Sequence, residues 1–137
     1  MNFFIQIYDQ FTIFLAKSRI LLFGLYRVLF VRVYFTFIIL INLFLWWGAY
    51  FMYSRIGQDV AILHYNVDFG VDLIGHKKYL FLLPLLGLIF ILINKIMLLF
   101  LIKKDDFKFL SYFLLSFLVL LNIFLGLSLY SVYLINF

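Results

Sequence analysis

Apolar residues run along this chain in three long blocks, Val33 to Ser54, Tyr79 to Ile102 and Phe109 to Phe137, and the charged residues fall almost entirely between them. A helix rises about 1.5 Å per residue, so about 20 apolar residues cross the roughly 30 Å hydrocarbon core of a bilayer, and each block is long enough. The blocks predict three transmembrane helices. Residues 1–32 predict a different element. On a helix that turns about 100° per residue, Asn2, Gln6, Asp9, Gln10, Lys17 and Arg27 gather on one side, while Phe3, Phe4, Ile7, Phe11, Phe14 and Leu15 lie mostly elsewhere. That is the pattern of an amphipathic helix lying along a membrane surface. Lys17, Ser18 and Arg19 interrupt the segment where a spanning helix tolerates polar groups least. A cleaved signal peptide fits less well, because the basic residues follow the apolar run instead of preceding it.

The fold class expected is therefore an all-α membrane protein, three transmembrane helices preceded by an N-terminal amphipathic interfacial helix, in a single domain over residues 1–137. Its parts are the interfacial segment 1–32, spans 33–54, 79–102 and 109–137, a loop 55–78, and a short hairpin 103–108 that suits a tight link between antiparallel helices. Lys17, Arg19, Arg27, Arg32, Lys103, Lys104 and Lys108 lie on one side of this arrangement, against Arg55, Lys77 and Lys78 on the other. The excess of basic residues places the N terminus and the hairpin in the cytoplasm, and the 55–78 loop and C terminus outside. Trp46, Trp47, Tyr50 and Tyr53 gather in the outer half of the first span, where either an interfacial belt or ordinary packing would use them.

Composition agrees with this solvent. Hydrophobic residues make up 68% of the chain, against about 45 to 50% in soluble domains, and no soluble domain of this length hides so much apolar surface. Lys plus Arg number 11 against 6 acidic residues, all of them Asp. Basic residues at the ends of apolar spans meet lipid head groups, so the lipid bilayer and not nucleic acid is the expected partner. Without cysteine, disulfides, thiolate metal sites and cysteine nucleophiles are excluded.

Polar residues inside the spans are few. Asn42, Asn94 and Asn122 occur one per span, and Lys95 is the only charge well inside one. Measured from Arg32 and Lys103, Asn42 and Asn94 lie at the same depth of about 14 Å, which predicts that they face each other, with Asn122 deeper and paired elsewhere. An intramembrane Lys is a functional-site candidate. Its flexible stem also allows it to snorkel to the head groups or to pair with Asn42. In the third span Ser116, Gly126, Ser128 and Ser131 are small, which suits close packing on the other helices, on a partner or on a second copy.

Within the loop, His64, Asn66, Asp68, Gly70 and Asp72 alternate with Tyr65, Val67, Phe69, Val71 and Leu73, the period of a half-buried strand. His64, Asp68, Asp72 and His76 are also spaced by four, which on a helix would form a column able to bind a divalent metal, but Gly70 and Gly75 disfavour that helix. Extended structure laid over the helix ends is expected, with no metal or cofactor. His64, Asn66, Asp68, Gly70, Asp72, Gly75 and Lys77 are the candidate recognition residues. The order His64-x-Asn66, Gly70, Asp72, Gly75-x-Lys77 and Pro84 resembles a motif that follows the first span in small bacterial membrane proteins of no assigned function and in the N-terminal part of Sdp-type immunity proteins. Where prolines usually precede the His, this chain has Asp59-Val60-Ala61-Ile62. The resemblance implies a bacterial inner-membrane setting and does not imply immunity activity.

No nucleophile–base order, nucleotide loop or carboxylate dyad stands in a context for catalysis, so an enzyme is not expected. The expected function is contact, in an accessory, assembly or sensing role. A homo-oligomeric channel or carrier using Lys95, Asn42 and Asn94, and a subunit of a large organellar respiratory complex, are the alternatives.

Overall fold

The computed structural model describes residues 2–66, 68 and 70–137, apart from the side chains of residues 2–4, 14, 15, 17, 18 and 21. Helix α1 (Asn2–Arg27) runs into helix α2 (Leu29–Arg55) through a break at Val28, whose extended backbone interrupts the helical turn. An antiparallel hairpin of strands β1 (Val60–Asn66) and β2 (Gly70–His76) follows, then a 3-10 turn (Lys77–Phe81), helix α3 (Leu82–Leu101) and helix α4 (Phe107–Asn136). The molecule is mostly helical, but the small sheet corrects the all-α expectation. Short β-rich segments are hard to see beside long apolar helices, and here the hairpin turn divides what reads as one alternating strand.

The three long helices α2, α3 and α4 meet along a single seam. In α2 the buried residues are Val31, Phe35, Ile38, Asn42, Leu45, Ala49 and Met52, spaced alternately by four and three. Leu80, Pro84, Gly87, Ile91, Asn94 and Leu98 repeat that spacing in the 3-10 turn and α3. Ser111, Leu115, Leu118, Asn122, Leu129 and Val132 follow it in α4. A 3.5-residue repeat keeps each helix facing its neighbours, as in a left-handed coiled coil. Two apolar clusters fill the seam. One holds Leu25, Val31, Phe35, Ile38, Ile91, Leu98, Leu115 and Leu118, and the other Leu45, Ala49, Met52, Leu80, Leu129 and Val132.

The outside is as apolar as the seam. All three helices are long and apolar enough to cross a membrane, and only 22 to 28% of their most apolar windows is buried within the molecule. Phe44, Phe100, Phe109, Phe113 and Phe124 all point outward. Water penalises such a surface heavily, whereas hydrocarbon does not. Helix boundaries lie close to the expected spans, with one shift that matters below: α2 begins at Leu29, so Arg32 lies within the helix and not at its start.

Helix α1 separates from the bundle along its length. Residues 5–13 are exposed on every side, whereas Leu25 is fully buried against the start of α2 and the end of α3. The expected two-faced character of this helix depends partly on Asn2, Phe3, Phe4, Phe14, Leu15 and Lys17, whose side chains lie outside the described residues.

Candidate functional site

Between the two apolar clusters the seam carries a polar layer. The Asn42 side-chain amide donates to the Pro84 carbonyl at 3.0 Å and, at a longer 3.4 Å, to Asn122 Oδ1. Asn122 Nδ2 donates in turn to the Leu118 carbonyl one helical turn back, at 3.0 Å. Pro84 sits in the first turn of α3, where its missing N–H costs little, and its carbonyl has a second lone pair for Asn42. Gly87 completes the layer. A Cβ there would lie 2.8 Å from Asn122 Oδ1 and nearer still to Asn42 Nδ2, so only glycine lets the three helices close on the two amides.

This corrects the expected Asn42–Asn94 pair. Counted from the true helix ends, Asn42 and Asn122 are each about 20 Å along their helices, whereas Asn94 is only about 10 Å from the end of α3. Arg32 does not mark the start of the span, because it lies inside α2. Asn94 instead donates to the Leu114 carbonyl of α4 at 3.1 Å, and its Oδ1 is buried with no hydrogen-bond partner among the described residues. Lys95 meets neither Asn. Its Nζ lies 5.5 Å from the centroid of the Tyr26 ring, so a cation–π contact ties α3 to the end of α1. The structure brings Asn42 and Asn122 together and leaves Asn94 and Lys95 apart from them.

The loop residues assemble at the opposite end from the α3–α4 link. Asn66 Oδ1 accepts from the Asp68 backbone N–H at 2.9 Å, forming the Asx turn that reverses the chain, and Gly70 takes a φ of +76° to start β2. That Asn-to-Gly signal was present in the sequence as Asn66-Val67-Asp68-Phe69-Gly70, and marks two strands where alternation alone suggests one. Register irregularities on either side of His64 leave Leu63 and Asp72 out of step. Such bulges turn side chains to a new face, and here His64 Nδ1 comes within 2.7 Å of Asp72 Oδ1 on an exposed surface. Gly75 backs onto Leu63 and Tyr79, where a Cβ would collide with both. Because the segment is extended, His64, Asp68, Asp72 and His76 form no column: Asp68 is in the turn and His76 pairs with Val60 at the hairpin's base. Among the described residues no group of three such ligands could hold a metal ion.

Lys77 and Asn136 tie the hairpin to the bundle by side-chain hydrogen bonds. Lys77 Nζ donates to the Ile56 carbonyl at the end of α2 at 3.3 Å and lies 5.1 Å from the centroid of the Tyr53 ring, while its backbone N–H closes the hairpin base on Asp59 at 3.0 Å. A cation suits that place, because a helix C-terminus carries partial negative charge. Asn136, at the end of α4, does something the sequence reading missed. Its Oδ1 accepts from the Ile62 N–H at 3.0 Å and its Nδ2 donates to the Ile62 carbonyl at 2.8 Å, so one amide stands in for a neighbouring strand along the edge of β1. The only hint was a polar residue closing a long apolar block. Phe81 completes the joint between Trp46 and Tyr53, at centroid distances of 5.9 and 5.4 Å, while Trp47 and Tyr50 face outward. The four aromatic residues thus divide between packing and the outer surface.

No protein family, curated protein or solved structure matches this chain.

Proposed function

We propose that this chain is a three-span integral membrane protein that works by contact, with the hairpin as its recognition element and the bundle as the scaffold that holds it. Helices α2, α3 and α4 cross the lipid, α1 lies along the cytoplasmic surface, and the hairpin stands on the outer side. The distribution of basic residues supports this orientation: Arg27, Arg32, Lys103, Lys104 and Lys108 are at the α3–α4 link end and Arg55, Lys77 and Lys78 at the hairpin end. A bacterial inner membrane is the setting that the resemblance implies.

One observation carries the contact reading. The seam is filled by side chains at every turn, and its Asn and Ser side chains all donate hydrogen bonds between helices or within one, with Asn94 Oδ1 the one buried polar side-chain atom left without a partner among the described residues, whereas the hairpin is anchored at its base and presents His64, Tyr65, Asp68 and Asp72 outward. A rigid base with an exposed polar tip suits recognition better than conduction. Lys95, Asn42 and Asn94 converge on no common path within one chain.

Purification in mild detergent from cells crosslinked at an introduced photoreactive residue in place of Tyr65 tests the reading. A defined membrane-protein adduct that is lost on Asp72→Ala is expected. Recovery of the uncrosslinked chain alone would defeat it. A reporter fused after Phe137 that proved cytoplasmic would reverse the orientation.

A further inference from the structure

A groove of about 700 Å³ lies beneath the hairpin, and its lining is mainly apolar. Leu63, Leu73 and Ile74 of the hairpin form the roof, and Leu82 and Leu86 of α3 stand across from Ser128 and Ser131 of α4 along the floor. Leu73 and Ile74 are more than half exposed, although each has the bundle within reach on the groove side. On a hairpin standing in water, an apolar group laid against these side chains gains free energy in proportion to the area it covers. The small Ser128 and Ser131 side chains keep α4 slim and leave the space open.

We infer that this groove binds the acyl chain of a membrane lipid, with its head group beside His64 and Tyr79. The inference rests on the membrane reading above. Three features favour a lipid over a protein segment. The floor is continuous with the outward apolar surface of α3 through Leu82 and Leu86, so a chain enters sideways from the bilayer without crossing water. From Ser128 to Ile135 the groove runs only about 10 Å, less than two helical turns, and its outer end is roofed, which prevents a partner's spanning helix from passing through. At the hairpin side, beyond the two serines of the floor, His64 Nδ1 is engaged by Asp72 and Nε2 has no hydrogen-bond partner among the described residues. The size is that of a small-molecule site, which runs from about 300 to 1,000 Å³.

A bound lipid would brace the roof and couple the shape of the recognition face to the surrounding membrane. Native mass spectrometry of the full chain in mild detergent, titrated with palmitoyl lysophosphatidylcholine, tests the assignment. The wild type should show one saturable adduct. Ser128→Trp, which fills the floor, should weaken it by about tenfold or more, and Ser116→Trp, in the shallower groove between α2 and α4, should leave it unchanged. If Ser128→Trp does not fold, Leu73→Ser in the roof serves instead and should weaken the adduct severalfold. Absence of a saturable adduct, or equal binding by all variants, overturns the assignment, and so does a dimer that forms as the adduct is lost. A chain that needs detergent but binds no lipid leaves the membrane reading intact, whereas one that stays folded without amphiphile overturns that reading itself.

Discussion

The centre of the bundle and its hairpin end both depend on asparagine amides, and they use them for opposite purposes. At the centre, Asn42 and Asn122 are buried between apolar layers, and their hydrogen bonds mainly relieve the cost of their own burial. At the end, Asn136 lies where water is near and replaces a strand that the two-stranded sheet lacks. The centre is shut by close contact around Gly87 and the end is fastened by a few side-chain bonds. Damage at the centre should therefore spread through all three helices, while damage at the end should stay there.

Gly87→Ala breaks the comparison most severely. Its methyl group meets two buried amides with no room to yield, so the thermal midpoint in detergent should fall by the equivalent of about 2 kcal/mol. An unchanged midpoint would mean that the helices are not held at contact distance. Next come Asn42→Leu and Asn122→Leu, each expected to cost about 1.5 kcal/mol because the remaining buried amide loses its partner amide and keeps only its bond to a backbone carbonyl. In the double-mutant cycle the coupling should be nearer 0.6 kcal/mol, the average for hydrogen bonds in membranes (~0.6), and a coupling of zero would separate the two residues.

Asn136→Ala should act differently in kind. Amide exchange at Ile62 and its hairpin neighbours should quicken by about fivefold, equivalent to about 1 kcal/mol, with the global midpoint unmoved. A matching fall in the global midpoint would make the hairpin part of the core. The smallest effect belongs to Lys77→Met, which keeps the stem beside Tyr53 and loses the bond to the Ile56 carbonyl. About 0.5 kcal/mol of local protection at the hairpin base should go, since the partner Asp59 is exposed and 3.9 Å away. Loss of expression in that variant would show that Lys77 does more than fasten the base.

The polar residues were more legible than the apolar ones. Asn42, Asn94 and Asn122 stand out because an amide facing lipid finds no hydrogen-bond partner there, and all three lie on the seam. Their partners do not follow from residue counts that start at Arg32 and Lys103, because Arg32 lies within α2 and a charge within a helix does not mark its start. The seam itself was invisible to hydropathy. Leu45 faces the core and Leu43 faces outward, yet nothing in the chemistry of the two side chains distinguishes them. The loop shows the converse case: period-two alternation named its extended backbone, but the bulges around His64 shifted which side chains share a face.

What the sequence determined by itself is the count and character of the helices: three blocks long and apolar enough to cross a membrane, separated by charge, with the basic excess at one end. Tertiary structure decided which amide meets which carbonyl, that Gly87 is the point of closest approach, and that Asn136 and Lys77 fasten the hairpin. Burial of apolar area depends only on composition and block length, which a sequence states directly. Pairing depends on the axial offset and rotation of one helix against another, and where both faces of a helix are apolar, only packed neighbours fix those quantities.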